Sequence, residues 1–456
     1  KVISDSKDMT FKPRFYSNSS LLLNTEFRAV TKNSSHIIDT SIKNKVSGKN
    51  TENTKTHFFS NSKVDLNNNF FEQSDIEINL EQVSNSNYLK AYNIDSSIVK
   101  NTSVLNSFIT LNGFNDDLFF QGTMETFEDT SKIESDKYQY VFPNIKVDKI
   151  FDLGSQSSGQ LSLNTTGYMK EHNTNIKETR MVNNLNYKSF LTPKKNGFLN
   201  SYSLILKNIN SDSKDPKNNI NESKIDVLSA GMFTTSYPLK KIKKNFSKYL
   251  TPKISFRYSP NNTKNINSSD TRIDTDNVFS LNRIGDNNTI EGGASMTIGS
   301  EYSINNINNE NIFKLDLATV FNHKENKDLP LKSTLGKKSS DIFGNLELKP
   351  SKFFNLKYNF SLDNNLDKSR YDLIKAEFSI NNFLNSFEFL EETDGLSDQG
   401  YWSNKTTFNL SDNNSLSLKK RKNTKTNLNE YYNLIYQYKN DCLTAAIEYN
   451  KTYYSD

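Results

Sequence analysis

Four histidines are the first candidates for chemistry in this chain, because imidazole serves both as a metal ligand and as a general base. They are His36, His57, His172 and His323, and no two of them have the spacing of an HExxH metal motif. We therefore expect isolated histidines at the surface or rim of the fold and no metal site. The sequence also has no G-x-S-x-G nucleophile turn and no phosphate-binding loop, so it indicates neither an enzyme nor a cofactor.

The chain has one cysteine, Cys442. One interpretation is a thiol without a special role. The other is a disulfide to a cysteine outside this chain, as an odd cysteine in an exported protein can imply. The residues themselves leave both interpretations open.

Two lysine-rich stretches could bind anions: LKKIKKNFSKY at 239–249 and LKKRKNTK at 418–425. Such clusters can contact anionic lipid head groups or sugar phosphates, although a solvated loop or rim is the simpler interpretation. The chain as a whole has 57 Lys and Arg against 52 Asp and Glu, a net charge of +5. This surplus is too small to indicate a nucleic-acid partner.

The elements that must position these residues are strands. In FFNLKYNFSL, residues 353–362, apolar side chains occupy the even positions and mostly polar ones the odd positions. This period of two predicts a strand with one apolar and one polar face. In a membrane barrel the even positions would face lipid and the odd positions the lumen. Similar alternation recurs at 118–125, 313–321, 408–418 and 432–449.

Composition favours a barrel over a soluble fold. Only 34% of the 456 residues are hydrophobic, yet the chain has 31 Phe and 22 Tyr. No apolar run approaches the roughly 18 residues that a membrane helix needs. At about 10 residues per strand plus connections, the length corresponds to on the order of 20 to 25 strands. A soluble adhesin built of sandwiches would instead show repeats of about 100 residues, and no such period is present.

The connections between the strands are predicted to be of two sizes. SDNN at 411–414 is typical of a hairpin turn. The polar stretches 210–224 and 259–277 are predicted to be long loops, giving a sheet with short turns at one rim and long loops at the other. Gly292 and Gly293 are expected at a sheet bend or a tight packing position rather than at a ligand.

Residues 1–456 are expected to form one barrel domain. Lys1 is not an initiator methionine and no signal peptide follows it, which predicts a processed chain or a fragment.

Seven stretches resemble, in order, the LptD family of lipopolysaccharide-assembly proteins. The first, MTFKPRFYSNSSLLLNTEFRAVTKNS, is similar to the segment near the start of that family's barrel. The stretches are 9–34, 83–95, 138–147, 249–262, 279–304, 328–350 and 436–456.

This resemblance implies an all-β fold, a large antiparallel transmembrane barrel of about 26 strands in the cell outer membrane. It implies that the protein passes lipopolysaccharide to the outer leaflet, with an LptE-like lipoprotein as a plug and periplasmic lipopolysaccharide-bridge proteins as further partners. The runner-up function is another outer-membrane barrel, a porin-like channel or receptor for small solutes.

The resemblance also implies roles for particular residues. Cys442 matches a late barrel cysteine, which implies a disulfide to a periplasmic domain that this chain lacks. Pro13 has no N–H to give to a strand ladder, which suits it to a seam edge. In the family such a proline lies at a lateral gate between the first and last strands, both expected to be incomplete here. We therefore expect a gate strand that includes Phe11, Pro13 and Phe15.

Overall fold

The computed structural model describes residues 2–16, 20–45, 54–132, 137–154, 158–172, 175–393, 398–441 and 443–452. Within them the protein is almost entirely β-structure, with 26 strands, a helix of one turn (α1, Tyr88–Ala91) and a short 3-10 helix at Leu331–Ser333. The first thirteen strands are β1 Val2–Ser4, β2 Lys7–Phe15, β3 Ser20–Val30, β4 Ser34–Lys45, β5 Lys55–Asp65, β6 Gln73–Val83, β7 Val104–Asn115, β8 Leu118–Asp129, β9 Tyr138–Phe151, β10 Gly159–His172, β11 Lys177–Ser189, β12 Thr192–Pro193 and β13 Leu199–Asp215. The remaining strands are β14 Ile220–Ser236, β15 Leu239–Ile242, β16 Phe246–Ser259, β17 Gly293–Asn306, β18 Asn311–Asn322, β19 Ile342–Ser351, β20 Phe354–Leu362, β21 Ser369–Ile380, β22 Phe383–Glu392, β23 Gln399–Ser411, β24 Asn414–Asn423, β25 Asn429–Lys439 and β26 Thr444–Thr452.

The strands pair antiparallel and mostly with their neighbours in sequence. The short strands β1, β12 and β15 pair with β2, β13 and β16. The chain divides into two compact units. The first unit comprises residues 1–186 and 206–227, and the second comprises 187–205 and 228–456. Among the described residues, no helix is long and apolar enough to cross a membrane.

Strand β16 has one polar and one apolar face. Ile254, Phe256 and Tyr258 are exposed, whereas Ser255 and Arg257 between them are buried. This arrangement is the reverse of a soluble protein, in which the apolar face would be covered. An apolar face is stable in this exposed state only where hydrocarbon replaces water around it.

The same reversal occurs elsewhere in the sheet. Asn24, Asp39 and Lys43 are buried on β3 and β4, although polar and charged side chains are rarely buried in soluble proteins. On β20, Ser361 of the polar face is buried and donates to Asp341 Oδ2 at 3.0 Å. Residues 354–362 thus form the predicted strand, in which successive side chains point to opposite faces.

The connections confirm two predictions and contradict one. SDNN at 411–414 is a hairpin turn, because β23 ends at Ser411 and β24 begins at Asn414. Of the predicted loop 259–277, all residues after Ser259, the last residue of β16, belong to a long connection between β16 and β17. The predicted long loop at 210–224 is wrong, since β13 and β14 run through most of it and leave only 216–219 as a turn. Its polar composition misled the prediction, because strands that extend beyond an apolar zone can be polar on both faces.

In the second unit, the antiparallel strand order places the longer connections at one end of the sheet, here called the long-loop end. They are 260–292, 323–341, 363–368 and 424–428. The opposite, short-turn end carries 307–310, 352–353, 381–382 and 412–413.

Candidate functional site

In the first unit, the connection between β6 and β7, residues 84–103, lies on the polar face of the sheet and is here called the strap. Its side chains Tyr88 and Leu89 are buried with Leu22 of β3 and Phe59 of β5. The strap therefore carries its own small apolar core onto a face that is otherwise polar.

A buried hydrogen-bond relay fastens the strap to the sheet. His57 Nδ1 lies 2.6 Å from Ser41 Oγ, and His57 Nε2 lies 3.0 Å from Asp39 Oδ1. Ser41 Oγ is also 2.6 Å from Tyr88 Oη of the strap. The His57 ring stacks on Phe59 with the centroids 4.3 Å apart. The prediction that the histidines lie at the surface or rim is wrong for His57, which is 3% exposed because its neighbours satisfy both ring nitrogens.

The atoms of Ser41, His57 and Asp39 are the types that a hydrolase uses for nucleophilic attack. Here Ser41 is only 5% exposed, and its hydroxyl is hydrogen-bonded to Tyr88. A substrate atom therefore has no room beside it. The arrangement positions the strap. Sequence spacing gives no sign of it, because the three residues lie on two paired strands and become neighbours only through the β4–β5 register.

Arg14 of β2 connects the predicted gate strand to the strap. Its Nη1 donates to the carbonyl oxygen of Tyr92 at 2.8 Å and to that of Asn93 at 3.1 Å. Lys43 and Lys55 lie over the Tyr92 ring at 5.1 and 5.6 Å from its centroid. The strap and β2 are thus joined one residue from Pro13.

In the second unit, two connections cover the polar face near the long-loop end: loop A, residues 260–292, and loop B, residues 323–341. Their apolar side chains form a core with sheet residues that point to the same face. The core residues are Ile273, Val278, Ile284, Ala318, Val320, Leu329, Leu335 and Phe343.

A buried Arg–Glu–Arg cluster holds loop A down. Glu291 accepts from Arg283 Nε at 3.0 Å and from Arg283 Nη2 as well. Arg257 of β16 donates from Nη2 to the Glu291 carbonyl and from Nε to the Leu281 carbonyl, both at 2.8 Å. Arg283 also donates to Ser295 Oγ of β17 at 2.8 Å.

The charges of this cluster support one another. Burial alone would raise the pKa of the Glu291 carboxyl, but Arg283 and Arg257 outweigh burial, so its pKa lies below the ordinary value of 4.5. Glu291 therefore stays ionised between two cations. At the edge of loop B, burial raises the pKa of Asp341 above 3.8 even though Arg370 opposes this rise.

Gly292 and Gly293 join loop A to β17, and the predicted tight packing is confirmed. A Cβ on Gly292 would lie 2.0 Å from the carbonyl oxygen of Asn261, and Gly293 has a φ of +92°. A side chain at Gly292 would push loop A off the sheet, whereas one at Gly293 would strain a backbone conformation that favours glycine.

The predicted gate residues lie on β2, which pairs with β3 through Phe11–Thr25, Pro13–Leu23 and Phe15–Leu21. Phe11 is 56% exposed and Phe15 80% exposed. Phe11, Pro13 and Phe15 point to one face of the sheet, because they are spaced two positions apart along the strand.

Other predicted positions fall in different places. Cys442 lies outside the described residues. His36 is half-buried and bonds to Ser62 and Ser34, while His323 is exposed in loop B. No group of three or more His, Cys, Asp or Glu side chains in the described part of the chain could hold a metal ion.

The two lysine clusters lie at opposite ends of the second unit. Residues 239–249 include β15 and its turn at the short-turn end, where Lys240 lies 5.1 Å from the Tyr249 ring centroid. Residues 418–425 lie on β24 and the turn at the long-loop end. Both clusters combine cations with aromatic rings.

The model of the family described as LptD, LPS transport system D, matches residues 53–388. No curated protein matches the chain. Solved structures that align with it include the FrpB iron transporter of Neisseria meningitidis (F3-3 variant), with 9% identity, a TM-score of 0.41, and coverage of 96% of this chain and 75% of that one.

Two further aligned structures come from other bacteria. BauA, the ferric preacinetobactin receptor of Acinetobacter baumannii, has 10% identity, a TM-score of 0.37, and coverage of 97% of this chain and 77% of that one. The outer membrane protein OprD of Pseudomonas aeruginosa has 8% identity, a TM-score of 0.26, and coverage of 88% and 91%.

Proposed function

Because the chain belongs to the LptD family, whose model matches residues 53–388, we propose that it moves lipopolysaccharide into the outer leaflet of the outer membrane. The saccharide head travels along the polar face, and the acyl chains leave sideways through a seam in the sheet. No covalent chemistry is involved.

Family membership confirms the resemblance found in the sequence and two expectations drawn from it. The protein is an all-β, antiparallel outer-membrane β-barrel, with 26 strands in the part of the chain that the structure describes, and it is located in the cell outer membrane.

The observation that supports this transport best is the reversed polarity of the sheet. The polar face can hydrate a charged saccharide, while the exposed apolar face adjoins hydrocarbon. An amphipathic lipid needs both environments, whereas a small polar solute needs only the first. An LptE-like plug lipoprotein and periplasmic bridge proteins are the proposed partners, and Cys442 is proposed to form the disulfide to the periplasmic domain.

The proposed seam follows the β2 edge at Phe11, Pro13 and Phe15. Each net ladder hydrogen bond contributes about 0.5 to 1.5 kcal/mol, and Pro13 lacks the N–H that would make one. Arg14, which holds the strap, lies next to it. Opening along this strand therefore costs less than opening between two strands without a proline.

The test replaces Pro13 by Ala in the full-length protein and measures the rate at which newly made lipopolysaccharide reaches the cell surface. A restored ladder bond would strengthen the seam and slow delivery by about 2- to 10-fold. The matched control is Pro252→Ala, since Pro252 of β16 is also an exposed strand proline and pairs with Ser300 of β17. This control should deliver at the unmodified rate.

Equal rates for Pro13→Ala and the unmodified protein would place the lateral exit elsewhere. A photo-crosslinking amino acid at Phe15 provides a second measurement. The control carries the photo-crosslinking amino acid at Phe408, an exposed aromatic position on β23. Crosslinks to newly made lipopolysaccharide should form at position 15 before they form at position 408.

A further inference from the structure

Two lysines of β24, Lys420 and Lys422, lie on a face of the sheet where cations are not expected. In register, Lys420 pairs with Asn404 and Tyr432, and Lys422 pairs with Trp402. The Nζ of Lys420 lies 5.0 Å from the ring centroid of Trp402 and 5.0 Å from that of Tyr432. The ammonium group is therefore held between two aromatic rings on neighbouring strands.

This is the apolar face of the sheet. Leu418 is two residues from Lys420, and its partner on β25 is Leu434; both are exposed. The opposite face of the same strand is different, because Arg421 there bonds to Glu430 Oε2 at 2.6 Å and lies 3.9 Å from the Tyr401 ring centroid. One strand thus carries Lys419 and the neutralised Arg421 on its polar face, and Lys420 and Lys422 on its apolar face.

The depth of the two lysines follows from the strand. The turn 424–428 follows β24 at the long-loop end, so at about 3.3 Å per residue Lys422 and Lys420 lie roughly 7 and 13 Å from it. A lysine on the lipid face costs about 2–4 kcal/mol at the bilayer midplane but only about 0–1 near an interface. Trp and Tyr concentrate at the same depth. These residues therefore belong to a membrane interface, and long connections mark the outer side of such barrels.

Neither lysine has a carboxylate partner among the residues that the structure describes. Glu391 lies on the same face, but Lys425 Nζ donates to its Oε1 at 3.1 Å. Two uncompensated positive charges thus remain beside aromatic rings at the lipid interface. The anionic group that reaches this depth from the hydrocarbon side is a lipid phosphate.

We propose that Lys420 and Lys422, flanked by Trp402 and Tyr432, form an outer-face site for the phosphate groups of lipopolysaccharide, an inference that rests on the proposed function. The lysines pair with the phosphates while the acyl chains lie along the exposed leucines of β24 and β25. The site holds the lipid on the outside of the sheet, in the outer leaflet.

Trp402, the only tryptophan of this chain, reports on the site directly. The full-length protein is placed in phosphatidylcholine nanodiscs and titrated with purified lipopolysaccharide or with the same lipid after its phosphates are removed. The signal is the emission of the protein minus that of its Trp402→Phe variant. We expect a saturable change with the phosphorylated lipid and about a 30-fold rise in the half-saturating concentration for the Lys420→Gln/Lys422→Gln double variant.

Lys419→Gln is the matched control, because Lys419 is adjacent in sequence but points to the opposite face, 5.2 Å from the Tyr431 ring centroid. It should titrate as the unmodified protein does, and Lys420→Arg/Lys422→Arg should retain binding. An equal response to the dephosphorylated lipid, a response to inorganic phosphate alone, or an equal loss in Lys419→Gln would overturn the proposal.

Delivery of lipopolysaccharide to the cell surface by the unmodified protein is measured separately. Delivery without any phosphate-dependent change at Trp402 would overturn this site and leave the proposed function standing. A phosphate-dependent change at Trp402 without delivery would overturn the proposed function and support the site.

Discussion

The strap of the first unit and loop A of the second unit both cover a polar strand face, but they are fastened by different chemistry. The strap is held by hydrogen bonds from Tyr88 through Ser41 to His57. Loop A is held by Glu291 between the cations Arg283 and Arg257. The first arrangement distributes its bonds over several groups, whereas the second places one anion at the centre.

This difference determines how strongly each segment is destabilised when one of its bonding residues is replaced. Removing one neutral hydrogen-bond partner costs the net value of a bond and the desolvation of the group left behind. Removing one member of a buried ion cluster leaves an uncompensated charge, which costs far more than the intact cluster contributes. The strap should therefore loosen gradually and loop A abruptly.

The largest expected effect is that of Glu291→Gln. It leaves Arg283 and Arg257, both buried, without their anion, and should destabilise loop A by about 3–5 kcal/mol. Hydrogen exchange of the backbone amides in 260–292 measures this as faster exchange, while the strap amides at 84–103 should keep their rates.

Glu310→Gln is the control for this change. Glu310 lies in the exposed turn 307–310, where it accepts from Asn306 Nδ2 at 2.8 Å. Replacing it should therefore change the free energy of opening of 260–292, as measured by hydrogen exchange, by less than about 0.5 kcal/mol. If Glu291→Gln behaves like Glu310→Gln, the ion cluster does not hold loop A and the comparison fails.

A smaller effect is expected for Tyr88→Phe in the strap. The ring stays in its apolar surroundings, and only the bond from Tyr88 Oη to Ser41 is lost, while Ser41 keeps His57. The strap should lose about 1 kcal/mol of protection in the same hydrogen-exchange measurement. Tyr92→Phe, which keeps the ring beneath Lys43 and Lys55, should lose less. A loss of 3 kcal/mol or more for Tyr88→Phe would mean that the relay acts as one unit.

The strands could be predicted because their signal is local. The alternation in 353–362 and the turn at 411–414 depend on side chains a few positions apart, and the structure has strands and a turn there. The reversed polarity also follows from the sequence, since few apolar residues that alternate with polar ones cannot form a covered core. The loop forecast at 210–224 failed because that segment is polar throughout and has no alternation to reveal its strands.

The fastening of the strap and of loop A could not be predicted. Asp39 and His57 meet through strand register, and Arg257 meets Glu291 across a connection of more than thirty residues. The lysine run 418–425 was visible, but its division between two faces depends on where β24 begins. Contacts of this kind depend on tertiary structure, which spacing along one sequence does not encode.

The smallest expected effect concerns acid. The pKa of Glu291 is lower in the folded protein than its ordinary value of 4.5, so the stabilisation that it provides is complete above pH 4.5 and is lost as the pH falls through the folded value. Lowering the pH from 7 to about 5 should therefore leave the exchange of 260–292 unchanged after correction for the intrinsic pH dependence of exchange. Only more acidic solutions should expose loop A, and the Glu291→Gln variant should show no such acid transition. Loss of protection already at pH 6 in the unmodified protein would mean that a group other than Glu291 controls the loop, because Glu291 is still fully ionised there.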